Sequence, residues 1–448
     1  MSDFQDGQVG VEESSGVGST AVDGVALEES SPAPGSQGES PKVNRQNALR
    51  ERPFRLLWGN VVTFALVQNA QRFAYIWLVV DVLGRDEGSA GLVGFTIGLP
   101  VLLLVLQAGA LADRVDRRTL LVVSQLGGLA VVAVTGVLLA AGTIGMTSTI
   151  VLTLTAGGFN ALGQPVRLAL VPVLVRREQL LNAIALNALT MTGSMILGPV
   201  LAQMIGGLFG IEAAFFFMAG LLLVGLVFLV RLPLPPSQAG SSTAPRTSMR
   251  SGVGEAARHV WADRGLRPLF GLLIVGNLCL GSVAMTLLPS LVKESFGRDG
   301  GDAGALMAMM GIGMSISSVY IMRRGDLPRK GARFMQAMMG GTTIIALVGL
   351  SPGYYQAMAL LLVMGMCGGF YINMNQSLIQ AHTPAALMGR VMSLYTLAQQ
   401  GFMPIGALAA GLIAQATDIR WTFAGAGAIG LVTVVSTFLT QPILREMR

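Results

Sequence analysis

The chain has 448 residues, 52% of them hydrophobic and 12% charged, with a mean hydropathy of +0.63, where an ordinary soluble domain has about 25% charged residues. That balance excludes a soluble globular protein, because no water-facing fold can bury so much apolar surface. The net charge of +6 comes with no basic patch interleaved with aromatics, so nucleic-acid binding is excluded and the excess is read as orientation in an anionic membrane.

Residues 1–47 are rich in Gly, Ser, Glu and Pro and lack apolar periodicity, the signature of a disordered acidic tail on the cytoplasmic side. Apolar segments of about 20 residues, enough to cross a bilayer as helices, then follow at 57–81, 90–111, 119–141, 148–174, 180–205 and 212–231. They predict a six-helix bundle over residues 48–231. From 232 to 266 the chain is a cytoplasmic linker: Pro233, Pro235, Pro236, Gly240 and Ser241 mark a flexible stretch, and Gly252 to Asp263 reads as a short amphipathic helix at the membrane interface. Six more segments, 267–292, 303–322, 332–351, 355–380, 389–414 and 420–442, predict a second bundle over 267–442, with 443–448 as a cytoplasmic end.

Basic residues orient the whole. With both termini in the cytoplasm, only Arg85, Lys293, Arg298 and Arg420 fall outside and only Arg72 lies deep within a span, which is the asymmetry the positive-inside rule requires. Every carboxylate falls in a loop, a tail or a span end. The halves echo each other: Arg52-Pro53-Phe54 recurs as Arg267-Pro268-Leu269, and the stretch from Gln179 to Ala202 recurs from Ala386, as internal repeats do in many transporters. Cys279 and Cys367 both lie inside spans and read as small packing residues. No phosphate-binding loop with lysine, no H-E-x-x-H and only two histidines occur, so no ATP hydrolysis, metal or cofactor is expected.

Between spans 2 and 3 stands GALADRVDRRTLL, residues 109–121, where Asp113 can cap a helix or pair with an arginine and so lock two helix ends. Gly109, Leu111, Ala112, Asp113, Arg114, Arg117 and Arg118 fill the pattern G-x-L-A-D-R-x-x-R-R at the matching topological position, and here the chain resembles the major facilitator superfamily. QRFAYIWLV at 71–79, GQPVRLALVPVLV at 163–175, NAIALN at 182–187, LGP at 197–199, GRVMSLY at 389–395 and Pro404-Ile405-Gly406 look like its bacterial drug and siderophore exporters. The likeness spans about residues 48–440. It departs at Met195-Ile196-Leu197, where relatives often carry an arginine, and in span 1, where their early aspartate is absent.

The resemblance implies a fold of twelve transmembrane helices in two pseudo-symmetric bundles, an all-α integral membrane protein. It implies a gate at Gly109, Asp113, Arg114, Arg117 and Arg118, with Arg390 in the second half, and a central cavity lined by spans 1, 4, 7 and 10. Amides concentrate in those spans: Gln68, Asn69 and Gln71, Asn160 and Gln164, Asn277, and Asn373, Asn375 and Gln376. Unpaired amides in lipid cost several kcal/mol, so these should face a cavity or one another. Arg72 joins them as the charge that would attract an anionic group. The expectation is a monomeric, multi-pass transporter of the bacterial inner membrane that exports a small amphipathic or anionic compound by alternating access, with proton antiport through Asp81 or Glu294. An uncoupled facilitator, a lipid or lysophospholipid transporter, and a non-transporting sensor are the alternatives.

Overall fold

A computed structural model describes residues 48–112, 116–176, 179–233, 249–324, 329–384 and 387–447; for some of these inside helices only the backbone is described. The acidic tail and residues 234–248 of the linker lie outside that set, as do Asp113, Arg114 and Asp326. Among the described residues there is no strand. The helices are α1 (Arg52–Trp77), α2 (Glu87–Ala112), α3 (Arg117–Ala140), α4 (Met146–Leu174), α5 (Leu180–Phe209), α6 (Ile211–Val230), α7 (Met249–Ala262), α8 (Leu266–Gly276), α9 (Ser282–Phe296), α10 (Ala303–Arg324), α11 (Lys330–Gly349), α12 (Tyr354–Ala381), α13 (Met388–Thr396), α14 (Met403–Ala416), α15 (Ile419–Thr440) and α16 (Pro442–Glu446). All twelve expected spans fall on this helical framework. Eight stretches of it are, by length and composition, able to cross a membrane.

Local chemistry sets the boundaries. Pro53 stands in the first turn of α1, where a missing N–H costs nothing. Asp116 caps α3 by accepting from the Thr119 N–H at 3.1 Å, and Asp418 caps α15 by accepting from Arg420 N–H at 2.7 Å. Gly297 ends α9 at φ +62°, a left-handed turn suited to glycine. Three spans carry a π-helical turn: Leu78–Val82 prolongs α1, Asn277–Gly281 joins α8 to α9, and Leu397–Gly401 joins α13 to α14.

Within the first half α1 packs on α5 and α6, α2 on α4, and α3 on α4 and α6; within the second, α12 packs on α10 and α11, and α11 on α15. The halves meet along α2 with α14 and α5 with α10. The first and last described residues lie at one end of the bundle, where Ala48 N–H donates to Asn182 Oδ1 and Gly331 N–H to the Met447 carbonyl. The described core is divided accordingly. At the far end one apolar cluster draws on both halves, from Phe73, Ile76 and Phe215 to Leu287, Leu306 and Phe423. At the terminus-bearing end there are two clusters, one of first-half residues around Phe54, Leu121 and Leu170, the other of second-half residues around Leu269, Phe334 and Leu378.

One sequence expectation is corrected. Arg72 is not alone in depth: Arg167, counted above with the cytoplasmic charges, is 3% exposed inside α4. Its Nε donates to Asn60 Oδ1 (2.9 Å), Nη2 to Gln125 Oε1 (2.7 Å) and Nη1 to Ser124 Oγ (3.4 Å), while Phe64 lies 3.6 Å beneath the guanidinium. Asn60 in turn donates to the Gly225 carbonyl and Gln125 to that of Leu222. The cation is satisfied entirely by neutral groups and a ring face, which is why no carboxylate in the spans announces it.

Candidate functional site

A cavity of about 90 Å³ lies between α1, α2, α9 and the π turn that leads into α14. Gln68 and Arg72 enter it from α1, Gly94 and Gly98 from α2, Ser282, Met285 and Thr286 from α9, and Gln400, Met403 and Pro404 from the second half's penultimate span. Both halves therefore contribute to one site, and Arg72 is the sole ionisable group in its lining. The guanidinium Nη1 reaches Met403 Sδ at 3.4 Å, a weak acceptor, and forms no ion pair. Ser282 is already engaged, donating to the carbonyls of Asn277 (2.8 Å) and Met403 (2.9 Å).

Of the amides expected at the site, Gln68 is the one this cavity includes. Asn69 donates to the Ala65 carbonyl and to Ser194 Oγ, tying α1 to α5. Gln71 is buried beside Tyr75 with its Nε2 unpartnered. Asn160, Gln164 and Gln376 are half-buried elsewhere, with Gln164 Oε1 unpartnered. Asn277 donates to the Leu273 carbonyl, Asn373 to Ser318 Oγ and the Gly369 carbonyl, and the fully buried Asn375 to the Leu269 carbonyl. The cavity lining instead includes Gln400 and Met403, which attention to the first helix of each repeat passes over, and Ser282 and Thr286 of span 7, which a search for amides passes over.

Of the gate residues, Gly109 and Arg117 are described in backbone only, in α2 and α3, and Asp113 and Arg114 not at all. Arg118 donates from Nη2 to the Val230 carbonyl at 3.2 Å, meeting the negative end of α6. Arg390 pairs with Glu255, holding α7 to α13.

Asp81 and Glu294 lie at the far end, away from the cavity. Asp81 pairs with Lys293 across the two halves at 3.1 Å. Trp77 Nε1 donates both to Asp81 Oδ2 (2.6 Å) and to Asp299 Oδ1 (3.0 Å). Lys293 also donates to the Val80 carbonyl, Gln203 to Asp302 Oδ1 and Gln415 to Asp86 Oδ2. Glu87 beside it, together with burial and the nearby Asp418, pushes the Glu294 carboxyl up to about 7. These bridges between the halves, unlike the Arg72 contact with Met403, all lie at the far end.

Comparison with known proteins agrees with this architecture. The chain is 28% identical to the enterobactin exporter EntS of Shigella boydii serotype 18 over 376 residues, 81% of this chain and 82% of that protein. The identity to EntS of Escherichia coli O1:K1 is the same over the same shares. Among solved structures it is similar to the nucleoside transporter NupG, with a TM-score of 0.67 at 14% identity over 87% of this chain and 98% of that one. It is also similar to a POT family transporter in complex with a thioalcohol conjugated peptide, with a TM-score of 0.66 at 11% identity over 88% and 96%. Those two likenesses establish a transporter fold, and all four proteins are membrane transporters rather than enzymes. Residues 45–447 match the family model for transmembrane secretion effectors, and the chain belongs to that family, on the exporter branch of the major facilitator superfamily.

Proposed function

We propose that this protein is an alternating-access exporter of a small anionic or amphipathic organic compound, a siderophore, drug or metabolite, in the bacterial inner membrane with both termini in the cytoplasm. The cavity carries this reading. It lies where the halves meet, its lone charge is a guanidinium without a carboxylate partner, and methionines and small apolar groups surround that charge, a chemistry that suits an acidic group on an apolar body. The conformation supports it too, since the far-end bridges and shared apolar cluster close one end over a cavity well below the roughly 300 Å³ of a ligand-filled pocket. Substrate would enter from the terminus-bearing end, and separation of the far-end contacts would release it.

Enterobactin, which the relatives' name says they export, is the first compound to test. Proteoliposomes holding the full chain should move it, and Arg72→Ala should slow that movement by about tenfold or more, the loss expected from one charge-assisted hydrogen bond. No movement of enterobactin or of a panel of acidic and amphipathic compounds would overturn the reading.

A second reading, transport without proton antiport, is favoured by the cavity's lack of any carboxyl or imidazole group. The proton candidates Asp81 and Glu294 sit in the far-end seal, where a proton would govern closure rather than ride with the cargo. Substrate movement that is indifferent to an imposed pH gradient would support this reading; acceleration by the gradient would restore antiport.

A further inference from the structure

Two guanidiniums lie deep in the first half, and the protein treats them differently. Arg167 has three acceptors within 3.4 Å and the face of Phe64. Arg72 has one sulfur contact and a cavity. An uncompensated charge at membrane depth is costly and calls for a counter-charge or water. No carboxylate supplies one: Asp81, on the same helix, is committed to Lys293 and Trp77 at the far end.

The groups around Arg72 are those that complete an anion shell. Gln68 and Gln400 bring amide N–H donors from opposite halves, and Thr286 brings a hydroxyl from α9. The space is about 90 Å³, where one water needs about 10–15 Å³ measured the same way. It accommodates a halide with a few waters, and not the body of a drug-sized molecule. We propose that the Arg72 cavity binds a small inorganic monoanion, chloride above all, which neutralises the guanidinium in the far-end-closed form and is displaced by the acidic group of the exported compound. This deepens the export reading, resting on the same cavity. Chloride and substrate then take turns on one cation, and each half of the cycle crosses the membrane with Arg72 neutralised.

The test is thermal unfolding of the purified full chain in a gluconate buffer of fixed ionic strength, with chloride or bromide replacing gluconate. The unfolding midpoint should rise with halide and saturate, because a ligand held by the folded state alone stabilises by mass action. Benzoate, a carboxylate probe, should reduce that halide-dependent rise. Arg72→Gln should abolish the rise, and Gln400→Ala should raise the half-saturating halide concentration several-fold. An equal midpoint in chloride and gluconate, or the same chloride response in Arg72→Gln, would overturn the inference. If Arg72→Gln does not fold, Arg72→Lys decides: a shifted half-saturation supports the site and an unchanged one removes it. Halide binding in a protein that moves no organic compound would leave this inference standing while the export reading fell; Arg72-dependent export that ignores chloride would do the reverse.

Discussion

Arg167 shows how a charge can be made structural in a membrane. Its four partners come from α1 and α3, and room for them depends on two residues without side chains. A Cβ on Gly163 would stand 2.1 Å from Ser124 Oγ and 2.2 Å from Arg167 Nη1, and one on Gly225 would stand 2.4 Å from Thr63 Oγ1 and 2.6 Å from Gln125 Nε2. Replacing Arg167 by Met would leave Asn60 Oδ1 without a donor and Gln125 with a weaker set, so stability should fall by on the order of 2–4 kcal/mol. Gly163→Ala should cost less, and the double variant should cost less than the sum, since both act on one network; unfolding midpoints of the three proteins check this. The sequence does hold a signal for Arg167, in that it interrupts the apolar run GQPVRLALV at the depth of Asn60 and Gln125. Positive-inside counting hides it, because one to two helical turns separate it from the end of α4. Arg72 was legible for the opposite reason, lying too far from either end of its span to be taken for a flank.

At the scale of elements, the contact of α2 with α14 is a backbone contact. A Cβ on Gly91 would meet the Ala407 carbonyl at 2.7 Å and Gly411 Cα at 2.9 Å; one on Gly411 would meet the Glu87 carbonyl at 2.4 Å. These glycines let the two helices close the far end, as small residues do in membrane interfaces. Gly91→Leu should hold the helices apart there. Spin labels at Ser89 and Gln415 should report a longer distance than in the parent protein, and unchanged distances would show that other contacts set the closure. The positions of the elements were readable within a few residues, because long apolar runs bounded by charges leave a helix little choice. The π turns were not readable, since nothing in Asn277–Gly281 or Leu397–Gly401 distinguishes them from α-helix by composition. With them the role of Gln400 was missed.

For the whole molecule, the far-end seal predicts a pH response. In the closed form Glu87 and burial hold the Glu294 carboxyl up at about 7, and separating the halves takes that neighbour away. The closed form therefore binds a proton more tightly than the open form, and closure should weaken as the pH at that end rises and Glu294 ionises. Asp86 contributes in the other direction, and only in acid. The Ser89 side chain and N–H hold its carboxyl below the usual range, so its bond to Gln415 is lost only as pH falls through that depressed value. Far-end cysteine labelling should thus increase from acid to neutral pH in the parent protein and lose that dependence in Glu294→Gln; labelling that tracks pH equally in both would remove Glu294 as the cause. Lys293→Ala, which removes the Asp81 ion pair and the bond to the Val80 carbonyl, should raise labelling at every pH. The all-helical membrane class could be read from the chain, but not which end is shut, because that depends on pairings between residues 99 to 329 positions apart.

The π turn at Leu397–Gly401 has an evolutionary and engineering meaning as well. A π turn holds one residue more than the α-helix can accommodate in the same rise, so removing a single residue there should leave a continuous helix that still crosses the bilayer. Because the turn absorbs the extra residue, everything beyond it would keep nearly its present phase, while the residues of the turn itself would be drawn into α-helical spacing. Deleting Ala398 would therefore leave Met403 and Pro404 near their present places and re-aim Gln400, which stands inside the turn, without changing any side chain of the lining. The shape of the anion site is in that sense encoded by the count of residues in this span as much as by their identities.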